Sequence, residues 1–157
     1  MTMNSERRLS YGSPRVMRIG VIAAIVMLAL SVWMHTGAAS TESGQPQRLA
    51  VLWTSGDPEV AHRVAFMYTE AVASQQWFDE VQLIVWGPSA RLLAGDKDVQ
   101  EALGRLKVSG VAVKACVVCA DSYGVTDQLR DLDLEVKGMG RPLTDLLQDE
   151  SWTVLTF

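Results

Sequence analysis

The chain has 157 residues, 48% of them hydrophobic and 20% charged, a composition that fits one packed globular domain and excludes a disordered polymer. Its net charge of −4 hides an asymmetry: before Ser40 four arginines (Arg7, Arg8, Arg15, Arg18) face one acid, Glu6, whereas from Ser40 onward ten Lys and Arg face seventeen Asp and Glu. An acidic body with no basic stripe cannot displace counterions from phosphates, so no nucleic-acid partner is expected.

In chain order, the first feature is Ile19 to Met34, sixteen uncharged and mostly aliphatic residues preceded by Arg15 and Arg18. His35-Thr36-Gly37-Ala38-Ala39-Ser40 follows, with small residues suited to cleavage after Ala39. Residues 1–39 therefore read as a signal peptide or, if uncleaved, a signal anchor with Trp33 at the membrane interface. The run is short of the roughly 20 residues of a full crossing, and membrane contact is expected only through this segment. The expected location is periplasmic or otherwise exported, or anchored at the inner membrane. Residues 40–48, polar with Gly and Pro, read as a linker.

The body, 49–157, alternates strands and helices. Leu49 to Trp53 is an apolar strand, followed by a turn whose Asp57 or Ser55 caps a helix with Pro58 in its first turn. That helix, Glu59 to Gln75, carries apolar residues at Val60, Val64, Met67, Ala71 and Val72. Val81 to Trp86 is a second strand, and Ser89 to Leu93 and Asp98 to Lys107 are helices, the latter with Val99, Leu103 and Leu106 on one side. Val111 to Ala115 is a third strand and Val117 to Tyr123 a short helix stopped by Gly124. A short helix over Asp127 to Asp131, a strand over Leu134 to Lys137, a helix over Pro142 to Gln148 and a strand over Trp152 to Leu155 complete the pattern. Near-continuously apolar strands separated by helices predict a single α/β domain: a mainly parallel five-stranded sheet with helices on both faces. The carboxyl ends of such strands form the functional edge. The loops arriving there are Thr54 to Pro58, Gly87 to Arg91, Cys116 to Cys119 and Gly138 to Pro142.

Both cysteines fall on that edge, in Cys116-Val117-Val118-Cys119. Cys116 would sit where the first unpaired helix N–H groups point, which favours a thiolate. Cys119, three residues on, shares its helix face and lies within reach of a disulfide. A loop that small restricts the unfolded chain little, so a reactive pair fits better than a structural staple. With one CxxC and only His35 and His62 far off, zinc is disfavoured, and no cofactor is expected. The loop Thr54-Ser55-Gly56-Asp57-Pro58 lacks the glycine spacing of a phosphate-binding turn. Gly138-Met139-Gly140 reads as a flexible turn close to the cysteines. Trp53, Trp77, Trp86 and Trp152 read as core or interface residues, His62 as exposed, and Asp121 and Ser122 as local caps.

The segments GPSARLL (Gly87 to Leu93), ACVVCADSYGV (Ala115 to Val125), LEVKGMGRPLTDLL (Leu134 to Leu147) and WTVLTF (Trp152 to Phe157) give the body a resemblance to the DsrE/DsrF/DsrH group of sulfur-relay proteins, in particular exported members. In that group a cysteine eight residues before a glycine–hydrophobic pair carries the persulfide, and Cys116 with Gly124-Val125 matches the spacing. The resemblance thus implies a persulfide carrier acting through Cys116, a sulfur donor or acceptor or redox partner protein, and a homo-oligomer. Cys119 departs from the one-cysteine pattern and admits thiol–disulfide exchange. The alternative is a non-catalytic ligand- or partner-binding module with inert cysteines, since buried cysteines often simply fill cores.

Overall fold

The computed structural model describes residues 47–157; the expected signal or anchor segment 1–39 and all of the expected linker but its last two residues lie outside the described residues. Five strands, β1 (Arg48–Trp53), β2 (Glu80–Val85), β3 (Ala112–Cys116), β4 (Glu135–Lys137) and β5 (Trp152–Thr156), form one sheet in the order β4-β3-β2-β1-β5. Every neighbouring pair is parallel. The single parallel α/β domain expected from the sequence is the observed fold.

Strand order decides which face each helix covers. From β1 to β4 the chain steps steadily to one side, and right-handed crossovers place the connections on one face. Those connections are α1 (58–74), α2 (Pro88–Gly95), α3 (Lys97–Val108), α4 (Val117–Tyr123) and α5 (Thr126–Asp131). They bury Ala65, Phe66, Leu93, Leu103, Leu106, Ala120 and Leu129 against Leu49, Val51, Trp53, Leu83 and Val85 of the strands. The return from β4 to β5 runs the other way, so α6 (Gly140–Gln148) lies on the opposite face. There a smaller cluster holds Ala50, Ile84, Cys116 and Met139, with Leu143, Leu146, Trp86, Trp152 and Val154 packed around it. At the far end of this face Arg48 stacks over Trp152 at 4.8 Å and meets Asp149 at 3.2 Å, tying β1 to the segment before β5.

Helix α1 departs from its expected face. Asp57 caps it through Glu59 N–H and Pro58 opens it, as the sequence indicates. After Val60, however, the backbone widens into a π-helical stretch over Ala61–Phe66 before α-helix resumes over Met67–Ser74. The buried residues are Ala61, Ala65, Phe66, Thr69 and Val72, while Val64 and Met67 of the expected apolar stripe are 39% and 62% exposed. The added residue in the widened turn rotates the helix. Two alanines then let the backbone approach the sheet, and Phe66 meets the Trp53 ring edge-on at 4.8 Å. Thr69 is tolerated in the core because its hydroxyl donates to Ala65 C=O at 2.6 Å. Helix α3, by contrast, buries Val99, Leu103 and Leu106 as its spacing predicts.

Candidate functional site

Cys116 is the last residue of β3 and the N-cap of α4, with φ −75° and ψ 112°. Its register partner in β4 is Lys137. Strand alternation governs its side: Ala115 joins the five-helix core, whereas Cys116 joins the cluster under α6. Cys116 holds the N-cap of α4, where the sequence places it. A reactive sulfur at this edge calls for exposure, however, and there the expectation needs correction: the side chain makes no capping hydrogen bond and is only 3% exposed, because parity carries it onto the α6 face, into one cluster with Met139.

Cys119 is half-buried, and both thiols are free. The two side chains pack in the same cluster on the α6 face. Burial pushes the Cys119 thiol above the ordinary range; a hydrogen bond from Gly87 N–H opposes this, and the neighbouring Cys116 adds to it. Cys119 is therefore held as a thiol at neutral pH, able to donate its proton toward Cys116. Gly87 supplies that N–H from a backbone at φ 68° and ψ −135°, a shape that a side chain would strain.

The loop after β2 is held by Ser89, which the sequence gives no special role. Its buried Oγ donates to Trp53 C=O at 2.7 Å and accepts from Trp86 N–H at 3.0 Å, locking the ends of β1 and β2 together beside Gly87. One turn along α2, the Arg91 guanidinium stacks over Tyr123 at 5.3 Å, so Tyr123 forms part of the surface near the pair. Val118, between the cysteines, is 69% exposed. Ser122 and Asp121, read as local caps, instead make other local bonds: Ser122 Oγ donates to Cys119 C=O at 2.7 Å within α4, and Asp121 accepts from Thr126 Oγ1, while neither caps α4 or α5. His62 is half-buried rather than exposed, edge-on to Phe66 at 6.3 Å. Trp77, expected in a core or interface, is 60% exposed. Among the described residues no three His, Cys, Asp or Glu side chains converge as a metal site.

The structure thus brings Cys116 and Cys119 together and adds Gly87, beside Cys119, and Met139, a member of the cluster that buries Cys116. Gly87 was legible only as a turn residue; Met139, from the turn after β4, approaches through tertiary packing that local spacing does not reveal. Chemically, the arrangement offers two adjacent reduced sulfurs, one sheltered and one with its proton retained.

A family model described as the DsrE/DsrF-like family matches residues 47–157. The solved structure of BT1422, a conserved protein of unknown function from Bacteroides thetaiotaomicron, is similar with a TM-score of 0.67 and 28% identity, covering 77% of this chain and 100% of that one. No curated protein matches the chain.

Proposed function

We propose a sulfur-carrying role for a chain that belongs to the DsrE/DsrF-like family: Cys116 accepts sulfane sulfur and Cys119 assists its discharge. The observation that carries this reading is the packing of two free thiols in one cluster at the carboxyl end of a parallel strand. In the first step the Cys116 thiolate attacks the outer sulfur of a donor persulfide. A Cys116 persulfide forms and the donor leaves as its thiolate. In the second, either an acceptor thiolate removes the outer sulfur, or Cys119, once deprotonated, attacks the inner sulfur of Cys116. The latter forms a Cys116–Cys119 disulfide and expels hydrosulfide: the sulfane sulfur is reduced by two electrons and the thiol pair is oxidised. Resetting the pair then requires a dithiol reductant, the redox partner of the sequence reading. Locating added sulfur by mass spectrometry after exposing the reduced chain to a persulfide donor tests the proposal.

The discharge step carries a pH signature. Because burial raises the Cys119 pKa, its thiolate is scarce at neutral pH. Hydrosulfide release from the persulfidated chain is expected to rise about tenfold per pH unit from pH 7 toward that pKa, as the thiolate fraction does. Cys119→Ser should remove the rising phase. Sulfide evolution followed across pH checks this, and a flat profile in the parent chain refutes intramolecular discharge.

The competing reading, a binding module with inert cysteines, draws support from the 3% exposure of Cys116. It requires that Cys116→Ser leave all sulfur phenotypes intact. The proposal extends to an exported protein that works with a partner and as a homo-oligomer. Export rests on the run Ile19 to Met34 behind Arg15 and Arg18; recovery of the chain wholly in the cytosolic fraction would refute it. Self-association rests on the family, and a monomer by light scattering would refute that.

A further inference from the structure

We infer that Met139, mounted between Gly138 and Gly140, is the gate through which Cys116 is reached, and so the residue that limits the size of the reagent it meets. The inference rests on Cys116 being the reacting sulfur, but its test, alkylation of the thiol, involves no sulfur transfer. Cys116 is 3% exposed and Met139 1% exposed, and the two belong to one small cluster on the α6 face. A nucleophile so covered reacts only when its cover moves.

Three features make Met139 and the start of α6 the part that moves. First, α6 covers this face, α4 reaching the cluster through Cys119 alone among the described residues, and α6 has no fully buried residue: Leu143 and Leu146 are half-buried and Leu147 is 66% exposed. An element with little buried surface opens at low free energy. Second, its N-cap is Met139 itself, which makes no side-chain capping bond, so the first turn lacks the stabilisation a Ser or Asp would give. Third, the flanking glycines answer no demand of the closed conformation. A Cβ built on Gly138 or Gly140 meets nothing within 4 Å among the described residues, and neither is among the glycines with positive φ. Neither close packing nor a left-handed backbone calls for glycine here. What the pair does supply is freedom for residue 139 to leave, and methionine, unbranched with three rotatable bonds, swings readily. When closed, the gate would shelter a Cys116 persulfide from bulk thiols while leaving Cys119 beside it.

The experiment is the initial rate of alkylation of Cys116 in the reduced full-length chain, resolved by mass spectrometry and expressed relative to Cys119, with iodoacetamide and the bulkier N-ethylmaleimide. Met139→Ala is expected to raise the Cys116 ratio by about tenfold or more, and more for the maleimide, by removing the packed side chain. Gly138→Ala with Gly140→Ala, for which the structure has room, is expected to lower it by roughly fivefold through lost backbone freedom of the open state. An unchanged ratio in Met139→Ala overturns the inference. So does an unchanged or raised ratio in the double alanine chain, whatever Met139→Ala does. Failure of sulfur loading with these outcomes intact would fall on the sulfur-carrier reading alone.

Discussion

Replacing Cys116 with serine is expected to reduce persulfide formation on the chain by at least two to three orders of magnitude, as read by mass spectrometry after exposure to a persulfide donor. A serine hydroxyl stays protonated at any pH the fold survives, so the nucleophile is lost while the shape nearly remains. The substitution also places a hydroxyl in the cluster of Ala50, Ile84 and Met139, where an unpartnered polar group costs about 1–3 kcal/mol. Cys116→Ala separates the two effects: it loses the same chemistry without the polar penalty. Cys119→Ser should behave oppositely, loading sulfur on Cys116 and holding it longer because intramolecular attack is gone. Sulfur appearing on Cys119 in the Cys116→Ser chain at the parental rate would reverse the assignment of the two roles.

The contrast between these residues shows where local sequence ceases to inform. Strands β1 to β5, the Asp57 cap and the left-handed Gly124 stop of α4, at φ 67°, follow from neighbours in sequence, and those were legible. The depth of Cys116 was not. Whether the last residue of a strand faces a rim or a helix depends on strand parity and on where a distant helix returns, here α6 after a reversal of direction across the sheet. Helix α1 misled for a similar reason. Val60, Val64, Met67 and Ala71 form an acceptable amphipathic stripe at ordinary helical spacing, but the π-helical stretch rotates Ala61, Ala65 and Phe66 inward instead. Small residues there permit a closer approach to the sheet than valine and methionine would, so packing overrides hydrophobicity. The cysteine pair itself was plain in the sequence; the elements that control it, Gly87 and Met139, arrive from the ends of β2 and β4.

Trp53→Ala is expected to destabilise the chain by about 3–5 kcal/mol, measured as the shift in the urea unfolding midpoint, a large part of the roughly 5–15 kcal/mol typical of a domain. Trp53 is fully buried at the end of β1, with its ring against Phe66. Its indole Nε1–H, however, has no hydrogen-bond partner among the described residues. Trp53→Phe therefore sets two terms against each other. The smaller ring gives up some packing, worth about 1–2 kcal/mol, while deleting the buried orphan donor returns about 1–3 kcal/mol. The expected net change is within about 1 kcal/mol of the parent, far from the alanine result. If phenylalanine proved as damaging as alanine, the indole N–H would have to be satisfied in solution. The site should feel the difference as well, since Trp53 C=O receives both Ser89 Oγ–H and Trp86 N–H, the bonds that fix the Gly87 turn against Cys119. Alanine at 53 loosens the strand end that presents this carbonyl, so the Gly87 N–H should hold Cys119 less well. The rise of sulfide release with pH should then shift further upward in Trp53→Ala, because the larger of the two backbone contacts that lower the Cys119 pKa is weakened, and remain in place in Trp53→Phe.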